Sequence, residues 1–236
     1  MKSSAHKTEA ARVPRAADNV DRVYSAVKAL AVEYRFRPGE KVNEVDLARL
    51  LSVSRTPVRE ALNRLVRDGF ISFVPNRGFY ARDMDPADVA HLYELRAVIE
   101  HAAFILACER AADAEIRAAA KLWDDKKELF GEQRWNDVAE ADEAFHMAIA
   151  ALSKNPQLVA TLEGVNARIL FFRRIDIQTP HRRSSTYDEH AQIIRALRKR
   201  NMEGAGLLKR HITLSSARAM EVTKEGLARI FFGGAA

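Results

Sequence analysis

Strand-forming runs are confined to one short stretch of this chain, residues 70–74 and 79–82, where they flank Pro75-Asn76-Arg77-Gly78. A proline, an asparagine and a glycine between two β-prone runs predict a hairpin. On both sides of it, apolar residues recur at three- and four-residue steps, the period of one helix face. One hairpin in an otherwise helical pattern restricts the chain to a mainly α architecture.

The elements before the hairpin come in a definite order. Val20, Val23, Val27, Leu30 and Ala31 give a helix over residues 19–34, and Pro38-Gly39 turns the chain. Asn43 caps a short helix containing Val45, Leu47, Ala48, Leu50 and Leu51. A third helix is expected from Thr56 as cap and Pro57 as first residue, with Val58, Leu62, Leu65 and Val66 as its buried stripe, closed by Asp68-Gly69. Three helices followed by a hairpin make a winged helix-turn-helix, placed at residues 18–84 behind an arm at 1–17.

From Asp85-Pro86 onward the strand signal vanishes. Six helical patterns follow, at 86–111, 114–131, 134–152, 156–176, 186–200 and 202–226, with breaks at Gly131, Asn155-Pro156, Gln178-Thr179-Pro180 and Asn201. They predict an all-α antiparallel bundle over residues 85–230, with a tail at 231–236. Trp123 and Trp135 read as core or interface residues, Cys108 reads as a small core residue on a helix, and one cysteine makes no internal disulfide.

Charge separates the two halves. Residues 1–84 hold 16 Lys and Arg against 10 Asp and Glu, whereas residues 85–236 hold 22 of each. The whole excess lies in the small domain, which points to a polyanionic partner for that domain alone. No apolar run reaches the roughly 18–20 residues that span a bilayer, and the first 17 residues lack the apolar centre of a secretion signal, so the expected location is cytoplasmic and the expected partners exclude a membrane.

At the start of the third helix, Ser54, Arg55, Thr56 and Arg59 place short polar and cationic side chains where a recognition helix meets base edges and phosphates. Arg77 and Gly78 at the hairpin tip suit close approach to a groove, and Arg64 and Arg67 lie further along as surface or backbone contacts. The run Leu47-Ala-x-x-Leu-x-Val53-Ser-Arg-Thr-Pro-Val-Arg-Glu-Ala-Leu62, followed by Asp68-Gly69 and Arg77-Gly78, resembles the DNA-binding domain of the GntR superfamily. The resemblance implies a homodimer whose two recognition helices read an inverted repeat of operator DNA.

In the second half, Asp142 and His146 stand four apart on one helix and project from the same face. His190 lies 11 residues before Asn201 and His211 lies 10 after it. If the chain reverses at Asn201, each histidine is about 15 Å from the turn and the two face each other across a helical hairpin. An Asp/His3 set suits a divalent metal ion, and its ligand types do not choose among Zn, Ni, Mn and Fe. His6, His91, His101 and His181 have no partner at ligand spacing and read as structural.

Tyr93-Glu-Leu-Arg96-Ala-Val-Ile-Glu100, Asp142-x-x-Phe-His146 with Asn155-Pro156, and Glu189-His190 with His211 resemble the FCD effector domain of the FadR subgroup. The resemblance implies that Asp142, His146, His190 and His211 hold the metal, and that Arg96 meets a small organic-acid effector rather than only bridging to Glu100 or Glu94. It also implies a transcription regulator, expected to repress and to release DNA on binding the acid. Two other functions fit the same residues: a metal-dependent enzyme, and a DNA-binding protein whose metal is purely structural. Phe171-Phe172-Arg173-Arg174 and Pro180-His-Arg-Arg183 read as pocket wall or dimer surface.

Overall fold

The computed structural model describes residues 16–124, 126, 128–129, 132, 134–213 and 216–232. The expected features at residues 1–15, at Gly131 and at 233–236, including His6, lie outside them, as do the side chains of Pro180, His181 and Arg183. Among the described residues no helix is long and apolar enough to cross a membrane.

The first part of the chain packs three helices against a small sheet: α1 (Ala16–Val32), β1 (Lys41–Val42), α2 (Glu44–Leu50), α3 (Arg55–Arg67), β2 (Ile71–Val74) and β3 (Gly78–Ala81). Helix α1 starts at Ala16, inside the stretch expected to be an arm. The Asn43 carboxamide accepts from the backbone of Val45 and Asp46, as a cap should. Helix α3 starts two residues earlier than expected, with Ser54 as its N-cap residue and no side-chain capping bond, so Thr56 is not the cap. Pro57 is then the third helical residue. It is tolerated there because the first four N–H groups of a helix have no intrahelical acceptor anyway.

The sheet has three strands, not two. Its order is β1-β3-β2, with Lys41 opposite Tyr80, Val42 opposite Phe79 and Phe73 opposite Phe79. Two residues carry no detectable periodicity, which is why β1 leaves no mark in the sequence. Val23, Val27, Val58, Leu62, Leu65 and Phe79 close the core of this head.

Seven further helices among the described residues form the bundle: α4 (Pro86–Arg110), α5 (Asp113–Asp124), α6 (Trp135–Leu152), α7 (Pro156–Asp176), α8 (Pro180–Arg198), α9 (Gly204–Ile212) and α10 (Ser216–Phe232). Asp85 and Asn155 cap α4 and α7, each followed by proline in the first turn. Helix α8 begins at Pro180, six residues before the expected start, because Pro180 occupies a first-turn position that asks for no N–H. The expected helix 202–226 is two helices that part after Ile212, and the second runs on through Phe231 and Phe232 of the expected tail.

Trp123, Phe104, Phe145, Ile169, Leu197 and Leu208 fill the bundle core, each stabilising it by about 1.5–3 kcal/mol through burial. Cys108 is buried among them on α4. Gly204 lets α9 close on α4, since a β-carbon there would stand 2.4 Å from the Phe104 ring. Helix α1 and the turn after it rest on α7: Tyr34 meets the rings of Phe171 and Phe172 at 5.0 and 5.8 Å, and Glu33 pairs with Arg174 at 3.7 Å. At the end of α3, Gly69 has φ +76°, and the Arg168 guanidinium approaches where its side chain would be.

Candidate functional site

Helix α6 carries Asp142 and His146 one turn apart, and α8 and α9 bring His190 and His211 against them. One donor atom from each of the four lies within 4.8 Å of the other three, and all four side chains are buried. His190 and His211 meet Nε2 to Nε2 at 2.8 Å, and His190 Nε2 is 3.3 Å from Asp142 Oδ1. The hairpin about Asn201 therefore juxtaposes these two imidazoles, although the second helix of the pair is only nine residues long.

Each imidazole is aimed by what lies behind it. His146 Nδ1 is 2.5 Å from Glu100 on α4, and His211 Nδ1 is 2.5 Å from Glu189 on α8. A carboxylate on Nδ1 fixes the tautomer that turns an Nε2 lone pair toward the cluster centre. His190 is instead held by rings, stacked on Phe145 at 4.0 Å and edge-on to Trp123 at 4.1 Å. Asp142 uses its second oxygen to accept from Arg173 of α7 at 2.6 Å.

The electrostatics suit a cation. Burial lowers the pKa of all three histidines, His211 to about 4, so the imidazoles are neutral near pH 7 and their lone pairs are available. Burial alone raises the Asp142 carboxyl, but His146, Arg173, His190 and His211 outweigh it and hold the group well below its ordinary value. Glu100 behaves likewise, falling to about 2 because Arg96 and His146 overcome its burial. Asp142 Oδ1 and His146 Nε2 are buried with no hydrogen-bond partner among the described residues. Unsatisfied buried acceptors are costly, and two converging on one point fit a divalent ion.

Asp142 and His211 also line a cavity of about 590 Å³. Its buried end is made by Tyr93, Arg96 and Arg173, and its more open wall by Arg182, Arg210 and Arg218. Arg96 lines this cavity and makes the salt bridge to Glu100 at 2.6 Å. Arg173 is a cavity wall, as expected, while its neighbours Phe171, Phe172 and Arg174 face the head. Asp176, Arg210 and Arg218 carry no signal in the sequence, since no spacing ties them to the histidines. His91 is exposed, His101 is half-buried, and neither belongs to the cluster; Trp123 is core and Trp135 is partly buried.

In the head, Ser54, Arg55, Thr56 and Arg59 lie exposed on the first turns of α3, and Arg77 is exposed beside Gly78 at the hairpin turn. Arg55 and Arg59 share Glu44 at 3.6 and 3.9 Å. Arg64 belongs to the framework: it pairs with Asp21 at 2.8 Å and lies 4.1 Å over the Tyr24 ring.

Comparison with known proteins meets this geometry in both halves. Residues 19–81 match the bacterial regulatory proteins of the gntR family, and residues 91–214 match the FCD domain. The Nta operon transcriptional regulator of Aminobacter aminovorans is 39% identical over 86% of this chain and 95% of its own length. The uncharacterized HTH-type transcriptional regulator YdhC of Bacillus subtilis is 30% identical over 80% of this chain and 84% of its own. Among solved structures, a GntR transcriptional regulator from Rhodococcus superposes with a TM-score of 0.65 at 25% identity, covering 86% of this chain and 97% of that one. These relatives are regulators, which removes the enzyme reading of the Asp/His set. The chain belongs to the GntR family, carries an FCD domain, and is a DNA-binding transcription regulator.

Proposed function

We propose that this regulator is a repressor whose operator affinity is set by a small organic acid bound beside a divalent metal ion. The single observation that carries the reading is the double membership of Asp142 and His211, which belong both to the buried Asp/His3 cluster and to the wall of the 590 Å³ cavity. An ion held by Asp142, His146, His190 and His211 supplies a Lewis-acid contact for a carboxylate entering from the cavity. Arg96 and Arg173 receive the same group by charge-assisted hydrogen bonds.

The head reads DNA through Ser54, Arg55, Thr56 and Arg59 on α3, with Arg77 and Gly78 of the wing against the backbone. Two heads, one from each protomer of a homodimer, fit an inverted repeat. Helix α7 supports a route between the sites. Arg173 touches the metal-ligating carboxylate, and the residues on either side of it, Phe172 and Arg174, touch Tyr34 and Glu33 at the end of α1. A shift of α7 on effector binding changes the seat of α1, and with it the spacing of the two recognition helices. The effector acts only to the extent that it prefers one arrangement.

The test is fluorescence anisotropy of the full chain on a labelled fragment from upstream of its own gene, with unrelated DNA as competitor. Binding that survives the competitor, strengthens or weakens on adding Zn²⁺ with an acid, and loses that response in His190→Ala while retaining DNA affinity, is the expected result. A His190→Ala protein that keeps the full response removes the metal from the mechanism.

A further inference from the structure

We propose that Glu44 sets the sequence discrimination of the head: its carboxylate orients the guanidinium groups of Arg55 and Arg59 for base contact and opposes their use as general phosphate clamps. The inference rests on the reading that these two arginines meet DNA, and it adds a positioning residue that acts through them.

Three observations carry it. The first is position. Arg55 and Arg59 are four apart on α3 and share one face, and Glu44, the first residue of α2, is the only carboxylate paired with either among the described residues. Its Oε2 is 3.6 Å from Arg55 Nη2 and its Oε1 is 3.9 Å from Arg59 Nε. One carboxylate between two guanidinium groups confines both long side chains, which have wide rotamer freedom when unpaired. Orienting them before DNA arrives lowers the ordering cost of a bidentate contact with a base edge.

The second is the looseness of those pairs. Both distances exceed hydrogen-bond range, so N–H groups of both arginines are left for DNA. The arginine side chains are 64% and 63% exposed, whereas that of Glu44 is 21% exposed. Glu44 therefore reaches the interface from behind the arginines instead of facing the groove. Its Oε1 is buried with no hydrogen-bond partner among the described residues. An unmet buried acceptor is costly, and a guanidinium that closes on it as the head seats on DNA removes that cost in only a narrow set of arrangements.

The third is the sign of the charge. A carboxylate in a basic interface subtracts from the attraction that every DNA sequence exerts. Non-specific affinity is almost wholly electrostatic, whereas specific affinity also draws on base-edge contacts. A negative charge here weakens non-specific binding in full, and at the operator the oriented arginines offset it. An acid that merely met the dipole of α2 in its first turn would need no partners on α3.

The experiment uses the full-length chain and a pool of DNA duplexes with a randomised centre. Duplexes enriched by the unmodified protein, and the unselected pool, are each titrated by fluorescence anisotropy at one salt concentration. The proteins compared are the unmodified chain, Glu44→Gln, Arg55→Ala/Arg59→Ala and the triple variant. Glu44→Gln is expected to bind the unselected pool about fivefold more tightly, the effect of one charge about 4 Å from a phosphate across water, and the enriched duplex no more tightly. Its discrimination between the two then falls about fivefold or more, with the denaturant midpoint unchanged. In the Arg55→Ala/Arg59→Ala background the same substitution is expected to shift both DNAs alike, because no guanidinium remains to be oriented. Unchanged discrimination in Glu44→Gln, or a loss that persists without the two arginines, overturns the proposal. So does an equal weakening on both DNAs with a lowered midpoint, which makes Glu44 a prop for α2. Enrichment by Glu44→Gln of an equally strong motif altered at one base pair overturns it too, since Glu44 then reads a base itself. If the unmodified chain enriches no motif, or Arg55→Ala/Arg59→Ala binds the enriched duplex undiminished, the assignment of the arginines to DNA falls first and the proposal with it.

Discussion

The arginines of the head and those of the bundle are the same residue put to opposite uses. Arg55 and Arg59 are about two-thirds exposed and share one glutamate at 3.6 and 3.9 Å, beyond hydrogen-bond range. Arg96 and Arg173 are almost wholly buried, and each is fixed to its own carboxylate at 2.6 Å. Exposed cations with a weak internal partner keep their charge for a polyanion arriving from solvent. Buried cations have no such freedom, because an unpaired charge in the interior is costly, and they serve instead to orient groups around them. The difference separates a charged surface that salt can screen from a buried cluster whose geometry is set on folding.

The largest effect expected from this contrast follows from removing one buried partner. Glu100→Ala leaves Arg96 uncompensated and His146 unaimed, and should lower stability by about 3–5 kcal/mol in denaturant unfolding. An unfolding midpoint unchanged by Glu100→Ala would mean that solvent reaches the pair. The double variant Arg55→Ala/Arg59→Ala should do the reverse. Stability stays within about 0.5 kcal/mol. DNA affinity falls about tenfold or more for each arginine removed, and the salt dependence of binding flattens by about one unit for each phosphate that is no longer neutralised. An unaltered salt slope would remove these two residues from the interface.

Glu189→Gln is a finer probe, since it leaves the proposed ligand His211 in place and loosens what holds its Nδ1, together with the Glu189–Arg182 pair at 3.4 Å. Zn²⁺ affinity should fall by about 10–100-fold, measured by competition with a chromogenic chelator. Acidity should disturb the bundle before the head. His211 titrates near about 4 in the folded chain, against an ordinary value of 6.5, and burial lowers His146 and His190 too. The unfolded chain therefore takes up protons first. Stability present above pH 6.5 is lost as the pH falls toward 4. Glu100 and Glu189, both held at about 2, extend the decline below pH 4.5. In chelator-treated protein the melting temperature should decline steadily from about pH 7 to about pH 5, and a flat profile would contradict neutral, buried imidazoles.

A small effect on stability is expected from Glu33→Gln as well. Its half-exposed pair with Arg174 contributes below about 1 kcal/mol, so folding should hardly change. Coupling should change more. Hydrogen exchange across residues 30–37 is expected to respond to Zn²⁺ in the unmodified chain and to respond less in the variant. Protection confined to residues 138–150 and 186–213 in both proteins would break the route through α7.

What the sequence determined by itself was whatever one helix or one turn encodes. The caps at Asn43, Asp85 and Asn155 and the left-handed turn at Gly69 depend on neighbours a few residues away, and the motifs there are legible for that reason. Asp142 and His146 share a face through the helical repeat. His190 and His211 could be paired because both were counted from one turn. The strand β1 was invisible because two residues acquire their conformation only from pairing with β3. The start of helix α8 leaves no mark in the sequence, since the polar run after Pro180 has no apolar period of its own.

The rest depends on packing between helices. Glu100 behind His146, Arg173 on Asp142 and the rings around His190 come from different helices of the bundle. So do the arginines that face one cavity. Their meeting depends on how ridges of one helix settle into grooves of another, and a spacing along the chain carries no record of that.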